Sequence, residues 1–245
     1  MISTRHARGV LAGSEDFDGN YGQFCRADVE TETAWFPVQT THTTNTSSET
    51  VSTIRFPMHP FLGIMDVTTA SNQRPSSIPP ADYGGNIDLR NLTVESTLFL
   101  PVQIEGAGLY IGNPHFTQGN GEVSLTALEA SLRATLRVQV VPTAEAKRLF
   151  GRTDLPFAIS HGTLIPMGFS STLDDALSQS VEHAIDMITA MFEMPRQQVY
   201  LLLSAAIDFD ATQAVDITKG VHGLIDLSMF QQLPDYERKI GRAHV

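Results

Sequence analysis

The sequence predicts an α+β protein that is predominantly antiparallel β, arranged as a sandwich or a barrel-like sheet, with two helices in the C-terminal third. Three observations support this fold class. Short β-prone runs separated by Gly, Pro and Asn fill residues 51–141. No helical pattern interrupts them, and such spacing favours antiparallel neighbours over βαβ units. Helical periodicity begins only after residue 171.

Seven runs make up the predicted sheet. The last of them alternates apolar residues, from Leu132 to Val140, with polar ones such as Arg133 and Arg137. This period of two is typical of a strand with one buried face. The runs are residues 51–56, 61–67, 87–92, 97–104, 109–111, 122–128 and 132–141.

Two helices follow the sheet. Thr172 and Asp175 resemble a capping box, and apolar residues recur at helical spacing over residues 173–191. His183 falls on the polar side of this helix. A second helix is predicted to begin at Pro195, because proline is favoured in the first helical turn.

The two ends of the chain have weaker patterns. Residues 1–50 are predicted to be irregular, because glycines punctuate the start and a polar tract rich in Thr, Ser and Asn follows. A closing β pair is predicted at residues 215 and 221–227.

Composition and charge exclude several classes of function. A formal charge of −11 and a pI near 5.0 would repel nucleic acids and anionic membrane surfaces. The longest apolar run, residues 199–207, is too short to span a bilayer, and the first residues lack a signal-peptide pattern. We therefore expect a cytoplasmic protein. Cys25 is the single cysteine, so any metal would need imidazole and oxygen ligands.

Two glycine-rich stretches contain the residues that could do chemistry. Asp88 lies within residues 83–90, and His115 and Glu122 lie within residues 112–122. Two carboxylates and an imidazole suit Zn²⁺ or another divalent ion, which could activate water and polarise a carbonyl. A metal-free version is also open, with Glu122 as general base and His115 or a backbone amide stabilising the oxyanion. Ordinary hairpin turns would equally explain the Gly-Asn steps.

Several motifs occur in one order along the chain. They are Pro60-Phe-Leu-Gly63, Gly84-Gly-Asn-Ile-Asp88, Leu98-Phe-Leu-Pro-Val102, Gly112-Asn-Pro-His115, Gln118-Gly-Asn-Gly-Glu-Val123, Tyr200-Leu-Leu-Leu-Ser204 and Gln213-Ala-Val-Asp216. In order and spacing they resemble the successive signatures of the acetamidase/formamidase family. The resemblance covers most of residues 56–230.

The resemblance implies an activity and a site. The activity is hydrolysis of a short aliphatic amide, formamide or acetamide, to the carboxylate and ammonia, in a β-rich α+β fold whose members resemble metal-binding proteins. The implied site has Glu122 and His115 as catalytic residues, Gly85, Asn86 and Gln118 as substrate-binding residues, and Asp88, His115 and Glu122 as metal ligands. Within it we expect Asp88 and His115 to hold the ion or the water, and Glu122 to move protons.

The expected cofactor is a divalent metal, zinc in the first place and calcium in the second. The expected partners are a small amide substrate and further copies of the chain, in a homodimer or a larger homo-oligomer. We expect neither a nucleic acid nor a membrane as a partner.

This chain departs from the family pattern in several places. Asn113 and Asn120 stand where the family has Asp, so two negative charges are absent from the expected cluster and weaker cation binding follows. The start of the chain resembles the family only faintly, around residues 15–23, and is predicted to be shortened. An impaired homologue that binds a small ligand or serves in an assembly is the alternative that these departures leave open.

The expected catalytic domain is residues 51–235. Residues 240–245 resemble a translated sequencing adapter. Residues 236–245 are therefore predicted to be a non-native tail and are set aside from the fold.

Overall fold

The strands form four antiparallel sheets, which confirms the predicted α+β class. A computed structural model describes residues 2–4, 26–38, 52–234 and 236. The strands are β1 (Ile2–Thr4), β2 (Arg26–Asp28), β3 (Thr33–Val38), β4 (Ser52–Pro57), β5 (Phe61–Asp66), β6 (Gly84–Asn86), β7 (Thr97–Phe99), β8 (Tyr110–Thr117), β9 (Leu128–Glu129), β10 (Leu132–Ala134), β11 (Phe157–Ser160), β12 (Thr163–Ser170), β13 (Asp208–Gln213) and β14 (Lys219–Asp226). The helices are α1 (Thr143–Phe150), α2 (Leu173–Phe192) and α3 (Arg196–Ala206), and a short 3-10 helix covers Leu227–Phe230.

The largest sheet has the strand order β13-β14-β12-β11-β7 and is covered on one face by α2. Side chains such as Leu164, Ile188 and Ile225, all fully buried, fill the space between the helix and the sheet. Gly168 on β12 allows the close approach, because a Cβ there would lie 2.2 Å from the Ala176 carbonyl oxygen of α2. Apolar burial of this extent makes the helix layer the main stabilising unit described.

Helix α2 begins as predicted. The Thr172 hydroxyl accepts a hydrogen bond from the Asp175 backbone N–H at 3.2 Å, which satisfies one of the free donors at the helix start. His183, predicted for the polar side, is instead fully buried, and its Nδ1 lies 3.0 Å from the Met167 carbonyl oxygen. Helical periodicity placed His183 on the wrong face because α2 packs tightly against β12. The Met167 carbonyl of β12 provides a polar partner for a buried histidine there.

A second sheet, ordered β6-β5-β8-β9, carries the motif residues Asn86, Asn113 and His115. The three-stranded sheet β2-β3-β4 packs on it through a small apolar cluster that includes Ala34, Met58, Phe116 and Leu128. The last sheet pairs β1 with β10. This apolar cluster thus separates the three-stranded sheet from the motif-bearing sheet.

Several predicted strands are shorter than expected. Of residues 87–92 none is in a strand, and of residues 122–128 only Leu128 is. The run 132–141 forms a strand only to Ala134, where its pairing with β1 stops, and Val138 and Val140 are 67% and 84% exposed. Alternation alone does not make a strand where the described residues provide no further strand beside it.

Other elements were not predicted. Helix α1 and strands β11 and β12 lie in residues 142–171, where no element was predicted. Strands β11 and β12 are almost continuously buried, so they lack the alternation of a half-exposed strand.

The prediction that residues 1–50 are irregular is corrected, because this range contributes β1, β2 and β3. The parts of it at residues 5–25 and 39–51 lie outside the described residues, as does the expected tail apart from Tyr236. The division into domains stays a prediction. Within the described ranges, none of the helices combines the length and the apolar character needed to cross a membrane.

Candidate active site

Three polar residues, one on the motif-bearing sheet and two in loops that adjoin its strands, have a left-handed backbone. Asp88, Asn113 and Glu122 have φ angles of 50°, 49° and 43°. Such angles are uncommon outside glycine, and they concentrate where a side chain must be aimed at a functional site. Asp88 and Glu122 are only 1% and 6% exposed. The backbone therefore turns sharply at points where it delivers buried polar side chains.

Gly63 on β5 makes room for the first of these carboxyls. The Asp88 backbone N–H donates to the Gly63 carbonyl oxygen at 3.1 Å, and the Asp88 carboxyl lies directly over the glycine. A Cβ at Gly63 would be 2.0 Å from Asp88 Oδ1. The glycine of the Pro-Phe-Leu-Gly motif is thus required by the site and not by a turn.

Asp88, His115 and Glu122 form the centre of the site. One potential ligand atom from each lies within 4.8 Å of the other two, and all three side chains are buried. Two polar atoms of this group, His115 Nδ1 and Glu122 Oε2, are buried without a hydrogen-bond partner among the described residues. Buried polar atoms are rarely left unpaired unless a water, an ion or a ligand completes them.

The environment of His115 determines which nitrogen is free. Its Nε2 lies 3.1 Å from Asn113 Oδ1 and 3.3 Å from Glu129 Oε2, while its ring packs edge-on against Phe61. Two oxygen acceptors on one nitrogen favour the tautomer with the proton on Nε2. The Nδ1 lone pair then remains available, which is the arrangement in which a carboxylate supports a metal-binding histidine.

An amide network joins the centre to a distant segment. Asn86 donates from Nδ2 to Asp216 at 3.0 Å, and Asn113 donates to Asn86 Oδ1 at 2.8 Å and to Asp88 Oδ1 at 3.0 Å. Asp216 is held by Gln213, whose Oε1 accepts from the backbone N–H groups of residues 215 and 216. These bonds fix the positions of two carboxyls that would otherwise repel each other.

The carboxyl groups of the centre are electrostatically crowded. Burial raises the pKa of Asp88, Glu122 and Asp216. The negative charge of Glu122 raises the pKa of Asp88 further, and that of Asp216 raises the pKa of Glu122. Three buried carboxylates cannot all stay ionised at neutral pH without bound protons or a cation to balance them.

The donor set fits a divalent ion. It offers two carboxylates and one imidazole whose free nitrogen is already set by its neighbours. The unpaired atoms and the excess negative charge are both explained by a cation at this point. The residues present could therefore hold a metal.

An open cavity of about 400 Å³ adjoins the centre. Glu122 and Gln118 form part of its wall, together with Phe36, Phe56 and Leu128. Gln118 donates from Nε2 to the Asp88 carbonyl oxygen at 2.7 Å, and its buried Oε1 has no partner in the described part of the chain. The cavity is thus lined by two residues that each carry a buried oxygen without a partner among the described residues.

The structure brings together most of the residues singled out from the sequence. Asn86, Asp88, His115, Gln118 and Glu122 all lie in or directly beside the centre. Gly85 does not, because a side chain there would face Pro79, Pro80 and Tyr83. Its predicted contact with substrate stays a prediction.

Asn120 also lies apart from the centre. It is exposed and donates to Asp210 Oδ2 at 2.7 Å. The expectation that both family departures remove charge from the cluster is therefore corrected, and only Asn113 belongs to it.

Two further carboxyls of the site were not predicted. Asp216 lies in the Gln213-Ala-Val-Asp216 motif, so the signal was present but no role was attached to it. Glu129 is not part of any motif. Its place in the site follows only from its pairing with His115 between β8 and β9.

Comparison with known proteins agrees with this geometry. The model of the Acetamidase/Formamidase family matches residues 68–232, about two thirds of the chain. The chain belongs to the acetamidase/formamidase family. The resemblance seen in the motifs is thereby confirmed.

Curated members of the family match over short segments. A formamidase of Methylophilus methylotrophus is 46% identical over 48 residues, which are 20% of this chain and 12% of that protein. An acetamidase of Mycolicibacterium smegmatis is 44% identical over 54 residues, which are 22% of this chain and 13% of that protein. The aligned segments thus span about an eighth of each relative's length.

Solved structures of the family share the fold. An acetamidase of Bacillus halodurans has a TM-score of 0.69 at 21% identity, with 95% of this chain and 75% of that chain covered. An acetamidase of Yersinia enterocolitica has the same TM-score at 19% identity, with 95% of this chain and 68% of that chain covered. At such identities the likeness establishes the family fold and nothing finer.

Proposed function

We propose that this chain is an amidohydrolase that cleaves a linear carboxamide, with formamide and acetamide as the simplest substrates, to the carboxylate and ammonia. The observation that supports the proposal is the Glu122 carboxyl. It is buried beside Asp88 and His115, it lines an open cavity, and its Oε2 has no partner among the described residues. A base in that position can act on a water and on an amide that enter from the cavity.

Asp88, His115 and Glu122 would hold the divalent ion, zinc in this proposal. Three protein ligands that include an imidazole leave an open position on zinc, whereas calcium prefers six to eight oxygen ligands. When bound, the ion supplies a Lewis acid that polarises the amide carbonyl and makes water more acidic.

The remaining steps belong to side chains of the chain. Glu122 accepts a proton from the attacking water, whose oxygen bonds to the carbonyl carbon. Glu122 then returns that proton to the amide nitrogen. The C–N bond breaks and ammonia leaves. Gln118 Oε1 is free to accept an N–H of the substrate amide and so to orient it.

The test is ammonia release from formamide and acetamide by the purified chain, with added Zn²⁺, with Ca²⁺ and with a chelator. We expect turnover with Zn²⁺ and its loss on chelation. Replacing Glu122 with Gln should lower kcat about 10²- to 10⁴-fold, the usual contribution of a general base, with an unchanged circular dichroism spectrum. Glu105→Gln is the matched control, because Glu105 is exposed, and it should leave turnover unchanged.

Two results would contradict the proposal. Full turnover by Glu122→Gln would remove Glu122 from the chemistry. Absence of ammonia release by the folded, zinc-loaded protein would favour the alternative of an impaired homologue that binds a small ligand or serves in an assembly.

A further inference from the structure

We propose that the cavity beside Glu122 binds the acyl part of an amide much larger than acetamide, namely a carboxamide with an apolar chain or ring such as hexanamide or phenylacetamide. This inference rests on the proposed function, since it names the substrate class of the same site.

The size of the cavity is the first argument. At about 400 Å³ it holds the volume of roughly a dozen water molecules. It also falls within the range of roughly 300–1,000 Å³ typical of pockets for small-molecule ligands. Formamide and acetamide have only three or four non-hydrogen atoms and would leave most of this space to water.

The wall of the cavity is the second argument. Phe36 on β3 and Phe56 on β4 stack with their ring centroids 5.5 Å apart, and both line the cavity with Pro57 and Leu128. The same two rings pack against the buried cluster of Ala34 and Phe116. This side of the wall is therefore apolar and supported from behind, and it can exclude water from an apolar group that lies on it. Polar side chains such as Arg90 and Asn120 line other parts of the cavity.

The polar end of the cavity is the third argument. Glu122 and Gln118 are 6% and 5% exposed, and each places on this cavity a side chain with an unpaired oxygen. An amide group placed at this end would satisfy those atoms, while its acyl group would extend along the aromatic wall. The division into a polar end and an apolar wall thus gives the substrate a direction.

The experiment is a series of unbranched primary amides, from acetamide through butanamide to hexanamide, with phenylacetamide added, assayed by ammonia release on the zinc-loaded protein. Burial of one methylene group favours binding about fourfold. We expect kcat/KM to rise by about that factor with each added carbon, which is about 250-fold between acetamide and hexanamide. A value that stays flat or falls beyond acetamide, while acetamide itself is hydrolysed, overturns this inference and leaves the proposed function intact.

A pair of variants on β4 links the effect to the cavity. Phe56→Ala removes part of the wall and should lower kcat/KM for hexanamide at least fivefold more than it lowers kcat/KM for acetamide. Ile54→Ala is the matched control, because Ile54 lies two residues earlier on the same strand, is 60% exposed and does not line the cavity. It should leave the whole series unchanged, and an equal loss in both variants would contradict a role of the wall.

Failure of the proposed function can be distinguished from failure of this inference. If no amide is hydrolysed, calorimetric titration of the same amides into the zinc-loaded protein measures binding directly. Affinity that rises with acyl length and is lost in Phe56→Ala supports the cavity as an apolar ligand site without catalysis. Affinity independent of acyl length overturns it.

Discussion

The site and the helix layer of this molecule are built on opposite principles. Beneath α2, apolar side chains such as Leu164, Met187 and Ile188 are fully buried on regular elements. At the site, the polar side chains of Asp88, His115 and Glu122 are buried as well, and the backbone is left-handed at Asp88 and Glu122. Burial of apolar area in the helix layer stabilises the fold, whereas burial of neighbouring carboxyls in the site destabilises it.

The two regions should therefore be sensitive to different kinds of substitution. A change in the helix layer should alter the free energy of unfolding and leave the chemistry of the folded protein alone. A change in the site should alter metal affinity and turnover, even where it alters stability little. The predictions below test that separation in order of decreasing effect.

The largest effect is expected from Gly63→Ala. The added Cβ would lie 2.0 Å from Asp88 Oδ1, so the Asp88 carboxyl must move from its position in the centre. We expect amide hydrolysis to fall about a thousandfold and zinc affinity, measured by calorimetry, to fall with it, since a lost ligand and a misplaced water both act on the reaction.

Gly112→Ala is the control for this change. Gly112 pairs with Ile64 on the same two-stranded ladder, and a Cβ there would meet only ordinary contacts of 3.5 Å or more with Tyr110. It should keep most of the activity. Similar losses in both variants would show that the ladder, and not the space for Asp88, is what matters.

The next effect is a pH dependence that distinguishes the two regions. In the large sheet, burial lowers the pKa of His222 to about 4, and the nearby positive charge of Arg90 lowers it too. The unfolded chain takes up this proton near pH 6.5, while the folded chain resists it until about pH 4. The contribution to stability is therefore full above about pH 6.5 and falls by about 3 kcal/mol as the pH drops to 4.

The site should respond to acid in the other direction. Burial raises the pKa values of Asp88 and Glu122, so without a metal the folded protein binds their protons more readily than the unfolded chain does. Their contribution is present at low pH and is lost as the pH rises through the folded pKa values. Urea unfolding of wild type and His222→Gln in a chelator, from pH 7.5 to 4, isolates the histidine, because the site carboxyls are common to both proteins. Equal acid losses in the two proteins would contradict the assignment to His222.

The smallest effect compares the two asparagines that replace aspartates of the family pattern. Asn113→Asp would lose the bonds that Asn113 donates to Asn86 and Asp88 and would add a charge to the centre. We expect the metal-free protein to lose about 1–3 kcal/mol of stability, and zinc affinity to rise roughly tenfold because of the added charge. Asn120→Asp, on the exposed side near Asp210, should change stability and zinc affinity much less. Equal responses of the two variants, in unfolding and in calorimetry, would count against this division.

Sequence patterns predicted the helix layer where periodicity was strong. The capping residue Thr172 and the apolar repeat fixed α2, because both are local signals. The continuously buried strands β11 and β12 have no alternation to detect, and the packing that buries His183 involves residues of β12 that no local pattern connects to it.

Motifs, and not periodicity, predicted the site. Asp88, His115 and Glu122 were found because the chemistry of their side chains suits a metal and because their spacing resembles a family. The loops that contain Asp88 and Glu122 were predicted as strands, at residues 87–92 and 122–128. Asp216 and Glu129 needed the folded chain, since their roles follow from contacts with Asn86 and His115 across long sequence distances.

The bond from Asn86 to Asp216 joins residues 130 positions apart in the chain. A second link nearby pairs Gly121 with Gln213 and so attaches the turn of Glu122 to the same late segment. Contacts of such long separation form late and slow down folding. At synthesis rates of about 5–20 residues per second, roughly 7–26 s pass between the making of these two partners. By the time Asp216 is made, the ribosome has already produced Asp88, His115 and Glu122, but the amide network beside them is still incomplete.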